Sequence, residues 1–247
     1  QDLHFSQYFN APLLVNPANT GFEPDVDWRA GINYRDQWSR LLSNPYKTFS
    51  VWADAQLFTN RFENGWMGIG GALLKDEAGS GNLATTRAFA SVAYHQLLGN
   101  ASLLSGGFNI GYVNKRIDFS KLTFDNQWNG KFFDITVPSG EAFAANNVGY
   151  FDLQAGMNYA YFPSTNAYLN IGFSASHINQ PDESFFASTT ADTKVPVRYT
   201  TFINGSFKVN SQWILNPNMY VSKAGNAYET VLGMNANYNL SGDGSLQ

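Results

Sequence analysis

The stretch Leu169-Asn170-Ile171-Gly172-Phe173-Ser174-Ala175-Ser176 carries an apolar side chain at every second position. Successive side chains of a β-strand point to opposite faces, so this pattern predicts a strand with one apolar face and one small or polar face. The same alternation recurs from Leu232 to Asn239 and in many segments after Trp28. Because helical periodicity is nearly absent, the sequence predicts an all-β protein.

Ten strands are predicted, and many of them are longer than the usual strand of about five or six residues. The predicted strands are Asp27–Tyr34, Thr48–Leu57, Trp66–Leu74, Thr85–Gln96, Ser102–Asn114, Tyr150–Tyr161, Ala167–His177, Tyr199–Lys208, Trp213–Ser222 and Ala227–Asn239. A tilted strand needs about 9–11 residues to cross a bilayer, so these lengths suit a sheet that spans a membrane.

The predicted connections alternate in length along the chain. The long ones are Arg35–Lys47, Lys75–Ala84, Lys115–Gly149 and Ile178–Arg198, and the short ones are Phe58–Gly65, Leu97–Ala101, Phe162–Asn166 and Val209–Gln212. Outer-membrane barrels have short periplasmic turns and longer extracellular loops, so the alternation favours such a barrel over a soluble sandwich. The ninth connection, Lys223–Asn226, is short and departs from this pattern.

The distribution of charge over the two strand faces also distinguishes a membrane barrel from a soluble sandwich. The predicted outward faces carry no charge, and they include Trp28/Ala30/Ile32/Tyr34, Phe49/Val51/Ala53/Ala55/Leu57, Phe108/Ile110/Tyr112 and Phe151/Leu153/Ala155/Met157/Tyr159/Tyr161. A charge that faces the bilayer centre costs about 2–4 kcal/mol, which explains an uncharged outer surface. We therefore predict an antiparallel transmembrane β-barrel of the outer-membrane type over residues 27–247, with an N-terminal periplasmic or luminal segment at residues 1–26.

Composition excludes several other classes of protein. Only 14% of the residues are charged, against about 25% in soluble domains. The net charge of −4 comes without a basic block, so nucleic acid is not an expected partner. Cysteine is absent, which excludes a disulfide framework and a thiol nucleophile. The start at Gln1-Asp2 indicates a mature N-terminus left after removal of a signal peptide.

The sequence offers no pattern for catalysis or for cofactor binding. His4, His95 and His177 are far apart and lack the spacing of metal ligands. A serine in a nucleophile elbow is absent, as is a glycine-rich loop that leads into a helix. We therefore predict a protein that is not an enzyme and that binds neither a metal nor a cofactor.

Charged residues on the predicted inward faces form the remaining polar cluster. They are Arg29, Arg35, Asp54, Arg87 and Asp152, and we predict that they line the lumen of the barrel. The mixture of signs favours salt bridges that fill the interior, because a conducting pore needs an open lumen. The alternative is a ring of charges that selects solutes.

The N-terminal segment Gln1–Asp25 has a different composition from the strands. Pro12 and Pro17, with several asparagines and Gly21, exclude a regular helix or a central strand. The segment is also rich in Phe, Tyr and Leu, so we expect it to pack against the barrel rather than remain free.

Several short motifs occur along the chain, and they include Phe5, Ser6, Gln7, Tyr8, Asn16, Pro17, Ala18, Gly21, Tyr34, Arg35, Gln37 and Trp38. These motifs resemble those of the PorP/SprF family, which consists of outer-membrane proteins of the type IX secretion system. His177-Ile178-Asn179-Gln180-Pro181 is similar to a further family element, and so is Trp213-Ile214-Leu215-Asn216-Pro217. The motifs span nearly the whole chain in the family's order.

The resemblance implies a location and a set of partners. It implies the outer membrane of a Gram-negative bacterium, contact with lipid, and association with other type IX components. It also implies that the protein pairs with secreted adhesins, including those of gliding motility, that carry a type IX C-terminal domain. The family usually continues beyond a glycine-rich turn like Ser241-Gly242-Asp243-Gly244 into further strands, so we expect more strands in the full protein than the ten visible here.

The long predicted loops are the candidate contact sites for a secreted partner, because loops on rigid barrels carry function. The predicted partner-binding residues are Phe119, Phe124, Trp128, Phe132, Phe133, Asn179, Gln180 and Pro181. Aromatic side chains of this kind anchor many protein interfaces. The alternative function is a passive channel or small-solute transporter, which would need a continuous water-filled lumen.

Overall fold

A computed structural model describes residues 7–42, 44–79, 81–134, 136–140, 145–186 and 193–239. Its strands are β1 (Trp28–Gln37), β2 (Tyr46–Phe62), β3 (Gly65–Ala78), β4 (Leu83–Leu97), β5 (Ser102–Arg116), β6 (Asn147–Ser164), β7 (Ala167–Ser176), β8 (Arg198–Lys208), β9 (Trp213–Ala224) and β10 (Ala227–Tyr238). Each strand pairs in antiparallel fashion with the next one along the chain, which gives a single ten-stranded sheet. The predicted all-β fold is confirmed.

The sheet is open in the part of the chain that the structure describes. There β1 pairs only with β2, and β10 pairs only with β9. The predicted closed barrel is therefore present as a curled sheet with two free edges. The sheet stays open because β1 and β10 do not pair with each other, so each of them has one row of backbone groups with no partner strand among the described residues.

The two faces of the sheet have opposite chemistry. The inner face buries small and polar side chains, and Ser105, Asn109 and Asn158 are each at most 2% exposed. The outer face exposes large apolar side chains, and Ile32 and Phe151 are 72% and 65% exposed. This distribution is the reverse of that in a soluble protein, in which large apolar side chains fill the interior.

Several strands extend further than the sequence predicted. β3 continues to Ala78 and β4 begins at Leu83, so the predicted long connection Lys75–Ala84 is wrong and spans only residues 79–82. The Thr48 hydroxyl donates to the inward carboxylate of Asp76 over 2.6 Å, which holds β2 and β3 together near this end. Two large connections remain at this end of the sheet, between β5 and β6 (residues 117–146) and between β7 and β8 (residues 177–197). We call this end of the sheet the loop end.

The N-terminal segment lies against the inner face. It contains one helical turn, α1 (Pro12–Val15), between two 3₁₀ turns at Tyr8–Asn10 and Pro17–Asn19. Proline suits the first position of each of the later two turns, because that position has no intrahelical partner for an N–H group. The prediction that no regular helix forms here fails only for the four residues of α1.

This segment contacts both halves of the sheet. Leu13 packs against Trp52 of β2 and Phe89 of β4, whereas Tyr8 packs against Phe202 of β8 and Tyr220 of β9. One segment of 16 residues (7–22) can reach both halves only because the sheet curls around it. It thus forms the centre of the structure, and we call residues 7–22 the docked segment.

Candidate functional site

Side chains on the inner face of the sheet, which we call the wall, bind backbone carbonyl groups of the docked segment. Ser174 Oγ donates to the Val15 carbonyl over 2.8 Å, and Trp66 Nε1 donates to the Gly21 carbonyl over 2.7 Å. His95 Nε2 lies 2.8 Å from the Thr20 carbonyl. Because these donors belong to different strands, they fix the segment from several sides of the curled sheet.

The side chain of Asn16 is fully buried between the docked segment and the inner face of the sheet. Its Nδ2 donates to the carbonyl groups of Met157 and Phe173 over 2.9 and 3.2 Å. Its Oδ1 accepts a 2.9 Å hydrogen bond from the backbone N–H of Ala18. Asn16 is 0% exposed, so these contacts satisfy an amide that would otherwise be buried without partners.

Three inward positions of the wall are glycines at the points where the docked segment comes closest. A Cβ atom on Gly68 would overlap with the Thr20 carbonyl, and one on Gly107 would overlap with the backbone of Pro17. A Cβ atom on Gly156 would overlap with Asn16 Oδ1. The absence of side chains at Gly68, Gly107 and Gly156 therefore makes room for the segment.

Two of the predicted lumen-lining residues form an ion pair that also contacts the docked segment. Arg29 Nε lies 3.1 Å from Asp54 Oδ1, and Arg29 Nη2 donates to the Asn19 carbonyl over 2.8 Å. Asp54 Oδ2 accepts a 2.7 Å hydrogen bond from the backbone N–H of Gly21. The pair thus joins β1, β2 and the docked segment in one network.

The other predicted lumen-lining residues lie nearer the loop end of the inner face. Arg87 Nη2 lies 2.7 Å from Asp152 Oδ2, and His177 Nδ1 lies 2.7 Å from Asp152 Oδ1. Arg35 donates to the Thr48 hydroxyl over 3.2 Å. Among the described residues, no group of His, Cys, Asp and Glu side chains is arranged to hold a metal ion.

The large loop between β5 and β6 presents aromatic side chains at its surface. Trp128 and Phe133 face each other across an antiparallel bridge, with ring centroids 5.3 Å apart. Asn129 Oδ1 accepts hydrogen bonds from the backbone N–H groups of Lys131 and Phe132, each over 3.1 Å. We call residues 128–133 the aromatic hairpin, and its three aromatic side chains are each at least half exposed.

The rest of this loop is organised by its own side chains. Gln127 Oε1 accepts a 2.9 Å hydrogen bond from the Phe124 N–H, and its amide group donates to the Val137 carbonyl. A hydrogen bond from the Thr136 hydroxyl lowers the pKa of the Asp134 carboxyl. Phe119 packs edge-to-face on Phe185 of the next large loop at a centroid distance of 6.2 Å.

The carboxylate of Glu183 joins the second large loop to β5 and β6. Lys115 Nζ lies 2.7 Å from Glu183 Oε1, and the Tyr150 hydroxyl donates to Oε2 over 2.8 Å. The backbone N–H of Val195 donates to the Pro181 carbonyl over 2.9 Å. The second large loop is therefore fixed both to itself and to the strands beside the first.

The structure gives Asn179 a contact within the protein. Its Oδ1 accepts from the Leu153 N–H over 3.1 Å, and its Nδ2 donates to the Phe151 carbonyl over 2.8 Å. The side chain thereby extends the hydrogen-bonding of β6 past the end of β7. Gln180 is exposed and has a positive φ of 43°, which turns the chain after this point.

The predicted motif residues fall in two places. Gln7, Tyr8, Asn16 and Pro17 belong to the docked segment, whereas Phe5 and Ser6 lie outside the described residues. The other group is at the loop end of β1 and consists of Tyr34, Arg35, Gln37 and Trp38. Sequence reasoning missed the contacts of His95, Trp66 and the glycines with the docked segment.

Comparison with protein families agrees with this architecture. The chain matches the model for the type IX secretion system membrane protein PorP/SprF over residues 1–244, whereas a comparison with curated proteins finds no match. No helix in the described part of the chain is long and apolar enough to span a membrane. The family is one of secretion system membrane proteins and not of enzymes. Membership of a secretion system implies association with its other components. The resemblance predicted from the motifs is confirmed, and the chain belongs to the PorP/SprF family of type IX secretion system membrane proteins.

Proposed function

We propose that this protein is an outer-membrane β-barrel that holds a secreted adhesin at the cell surface by binding its C-terminal domain. The observation that carries the proposal is the exposed aromatic hairpin at the end of a rigid sheet. Trp and Phe side chains that remain exposed on an ordered loop supply large contact area at a small cost in conformational entropy.

The outer face of the sheet supports a position within a bilayer. Its exposed side chains are largely apolar, and outward charges such as Lys47, Lys75 and Glu77 lie near strand ends. Charged groups are tolerated there because the cost of exposing them to lipid falls towards the membrane surface. Lipid is therefore a partner of the outer face, and the sheet must close in the membrane because an open edge cannot face hydrocarbon.

The fixed position of the second large loop supports a partner-binding role for the loop end. Glu183 holds the second large loop to Lys115 of β5 and Tyr150 of β6, so a partner meets a surface that is largely formed before binding. Preorganisation of this kind reduces the entropy lost on association. By analogy with outer-membrane barrels, the end with large loops faces the outside of the cell.

The alternative of a passive channel is weaker, because the docked segment occupies the interior. Leu13, Asn16 and Thr20 are each 0% exposed, so the inner wall covers this part of the segment. A channel would show steady ohmic current when the purified protein is placed in a planar bilayer. We expect no such current from the protein.

Substitution of the aromatic hairpin tests the proposal directly. In the triple variant Trp128→Ser, Phe132→Ser, Phe133→Ser, we expect capture of the adhesin C-terminal domain to fall at least about tenfold, because such anchors contribute about 2 kcal/mol or more each. The amount of adhesin retained on the cell surface should fall in parallel. The matched control is Val209→Ser, an exposed apolar position in the short connection at the opposite end.

Two results would count against adhesin binding. Undiminished capture of the adhesin domain by the triple variant would show that the aromatic hairpin is not part of the interface. Normal export and surface retention of every such adhesin in a deletion strain would contradict the function itself.

A further inference from the structure

We propose that the inner face of the sheet is a peptide-binding site that recognises the sequence of the docked segment as a ligand, also when a separate molecule presents it. The chain's own segment is the resident ligand. The chemical class is a turn-forming peptide with an Asn-Pro-Ala core followed, after one residue, by Thr-Gly, as in residues 16–21. The proposal is independent of adhesin binding at the loop end.

The first support is the mode of recognition. Besides Ser174, Trp66 and His95, the wall supplies Trp52 Nε1, which donates to the Asn10 carbonyl over 3.0 Å. Donors from β2, β3, β4 and β7 therefore bind backbone carbonyl groups spread over the whole segment. Recognition of main-chain groups by a fixed array of donors is one way in which proteins bind peptides.

The second support is the shape of the wall. The glycines at positions 68, 107 and 156 leave recesses that match Thr20, Pro17 and Asn16 of the segment. Thr20 Oγ1 also lies 2.5 Å from Ser91 Oγ. A wall that only enclosed the segment would need neither these recesses nor the paired hydroxyl groups of Thr20 and Ser91. The fit therefore indicates that the wall recognises a specific peptide sequence.

The third support is how the segment is connected to the sheet. Residues 23–27 form an exposed linker between the docked segment and β1. The linker gives the segment a high effective concentration at the site, whereas the hydrogen bonds that recognise it contact residues 10–21 and not the linker. The same site should therefore accept a free peptide once the resident ligand is weakened.

The resident contacts are tested by thiol labelling of the full chain, which has no natural cysteine. Ala18 is 0% exposed, so Ala18→Cys should resist a membrane-impermeant maleimide. Adding Gly107→Val should make the thiol react at least about tenfold faster, because the new side chain expels the segment. Gly106→Val is the matched control, since a Cβ atom there meets no other atom within 4 Å.

A crosslink keeps the test decisive if Gly107→Val does not insert into membranes. The pair Thr20→Cys and Ser91→Cys should form a disulfide in the intact protein, because the two hydroxyl groups are in contact. Failure of this disulfide to form, or rapid labelling of Ala18→Cys in the otherwise unchanged chain, would overturn the proposal.

Binding of a separate peptide is tested with a fluorescent synthetic peptide of residues 7–23. The double variant Asn16→Ala, Thr20→Ala weakens the resident ligand and leaves the wall unchanged, so it should bind the peptide saturably. The parent protein should bind at least about tenfold less, because its site is occupied. Addition of Gly107→Val to the double variant should abolish binding.

Each opposite result has a definite meaning. No saturable binding to the double variant would overturn recognition of a separate peptide. Equal binding to the double variant with and without Gly107→Val would place the peptide outside the proposed site and would overturn it as well.

Discussion

The docked segment and the loop between β5 and β6 are both rich in aromatic residues, yet they use them in opposite ways. In the docked segment, Tyr8 and Phe22 are buried at 3% and 5% exposure. In the loop, Trp128 and Phe132 are 50% and 59% exposed. The difference follows from where the backbone groups of each segment find their hydrogen-bond partners.

The docked segment depends on the wall, whereas the loop depends on itself. The carbonyl groups of Val15 and Thr20 meet side chains of distant strands. In the loop, Asn129 and Gln127 bind backbone groups within about ten residues of themselves. A loop that satisfies its own backbone does not need to bury its aromatic residues, and they remain available to a partner.

The largest loss of stability is expected when the ion pair that contacts the docked segment, Arg29 with Asp54, is broken. Arg29→Ala leaves Asp54, whose side chain is 1% exposed, without its charged partner. Removing one partner of a buried pair costs about 3–5 kcal/mol. We expect the free energy of unfolding in lipid vesicles, measured by urea titration, to fall by that amount.

The loop supplies the control for this prediction. Lys121 and Asp118 form an exposed pair at 3.6 Å, and exposed pairs contribute little because water screens them. Lys121→Ala should therefore leave unfolding unchanged. Equal losses from the two substitutions would erase the energetic difference between the docked segment and the loop.

The strands and their faces could be predicted from sequence because the alternation is a local property. The predicted strand Ala167–His177 agrees with β7 to within one residue at each end. The strand was predicted to end at Leu74, four residues too early, because alternation of apolar residues stops there; Lys75 and Glu77 still lie in β3 and pair with each other over 2.6 Å.

The position of the docked segment could not be predicted, because it depends on how far the sheet curls. Its partners Met157 and Asn204 are more than 140 residues away along the chain. Glycines at inward positions were the available signal, since Gly107 and Gly156 stand among inward residues such as Ser105, Asn109 and Asn158 that carry side chains. Closure of the barrel likewise depends on the pairing of edge strands and not on alternation within any one strand.

An intermediate effect is expected where Glu183 holds the second large loop to β5 and β6. Glu183→Ala removes the acceptor of Lys115 and Tyr150, and hydrogen bonds to charged groups contribute about 1.5–3 kcal/mol. Because these bonds hold a loop and not the wall, we expect the loss to appear as faster proteolysis within residues 177–197. Global unfolding should be unchanged. A large fall in global stability would show that the loop is not independent of the sheet.

The smallest expected effect is at Tyr8, where the docked segment meets β8 and β9. The Tyr8 hydroxyl donates to Asn204 Oδ1 over 2.5 Å and lies 3.2 Å from the Met219 carbonyl. Tyr8→Phe removes these contacts and should lower the free energy of unfolding by about 1 kcal/mol near neutral pH.

The pH dependence of this difference separates burial of Tyr8 from a surface contact. Burial raises the pKa of Tyr8 from 10.0 to about 12, so between these values the unfolded chain loses the proton while the folded chain keeps it. Stability then falls as pH rises, because the folded state binds more protons. The advantage of the parent protein over Tyr8→Phe should therefore be complete below about pH 10 and shrink towards pH 12. A constant difference over this range would mean that the Tyr8 hydroxyl is as solvated as those of the exposed loop residues, and the contrast between the two regions would fail at this position.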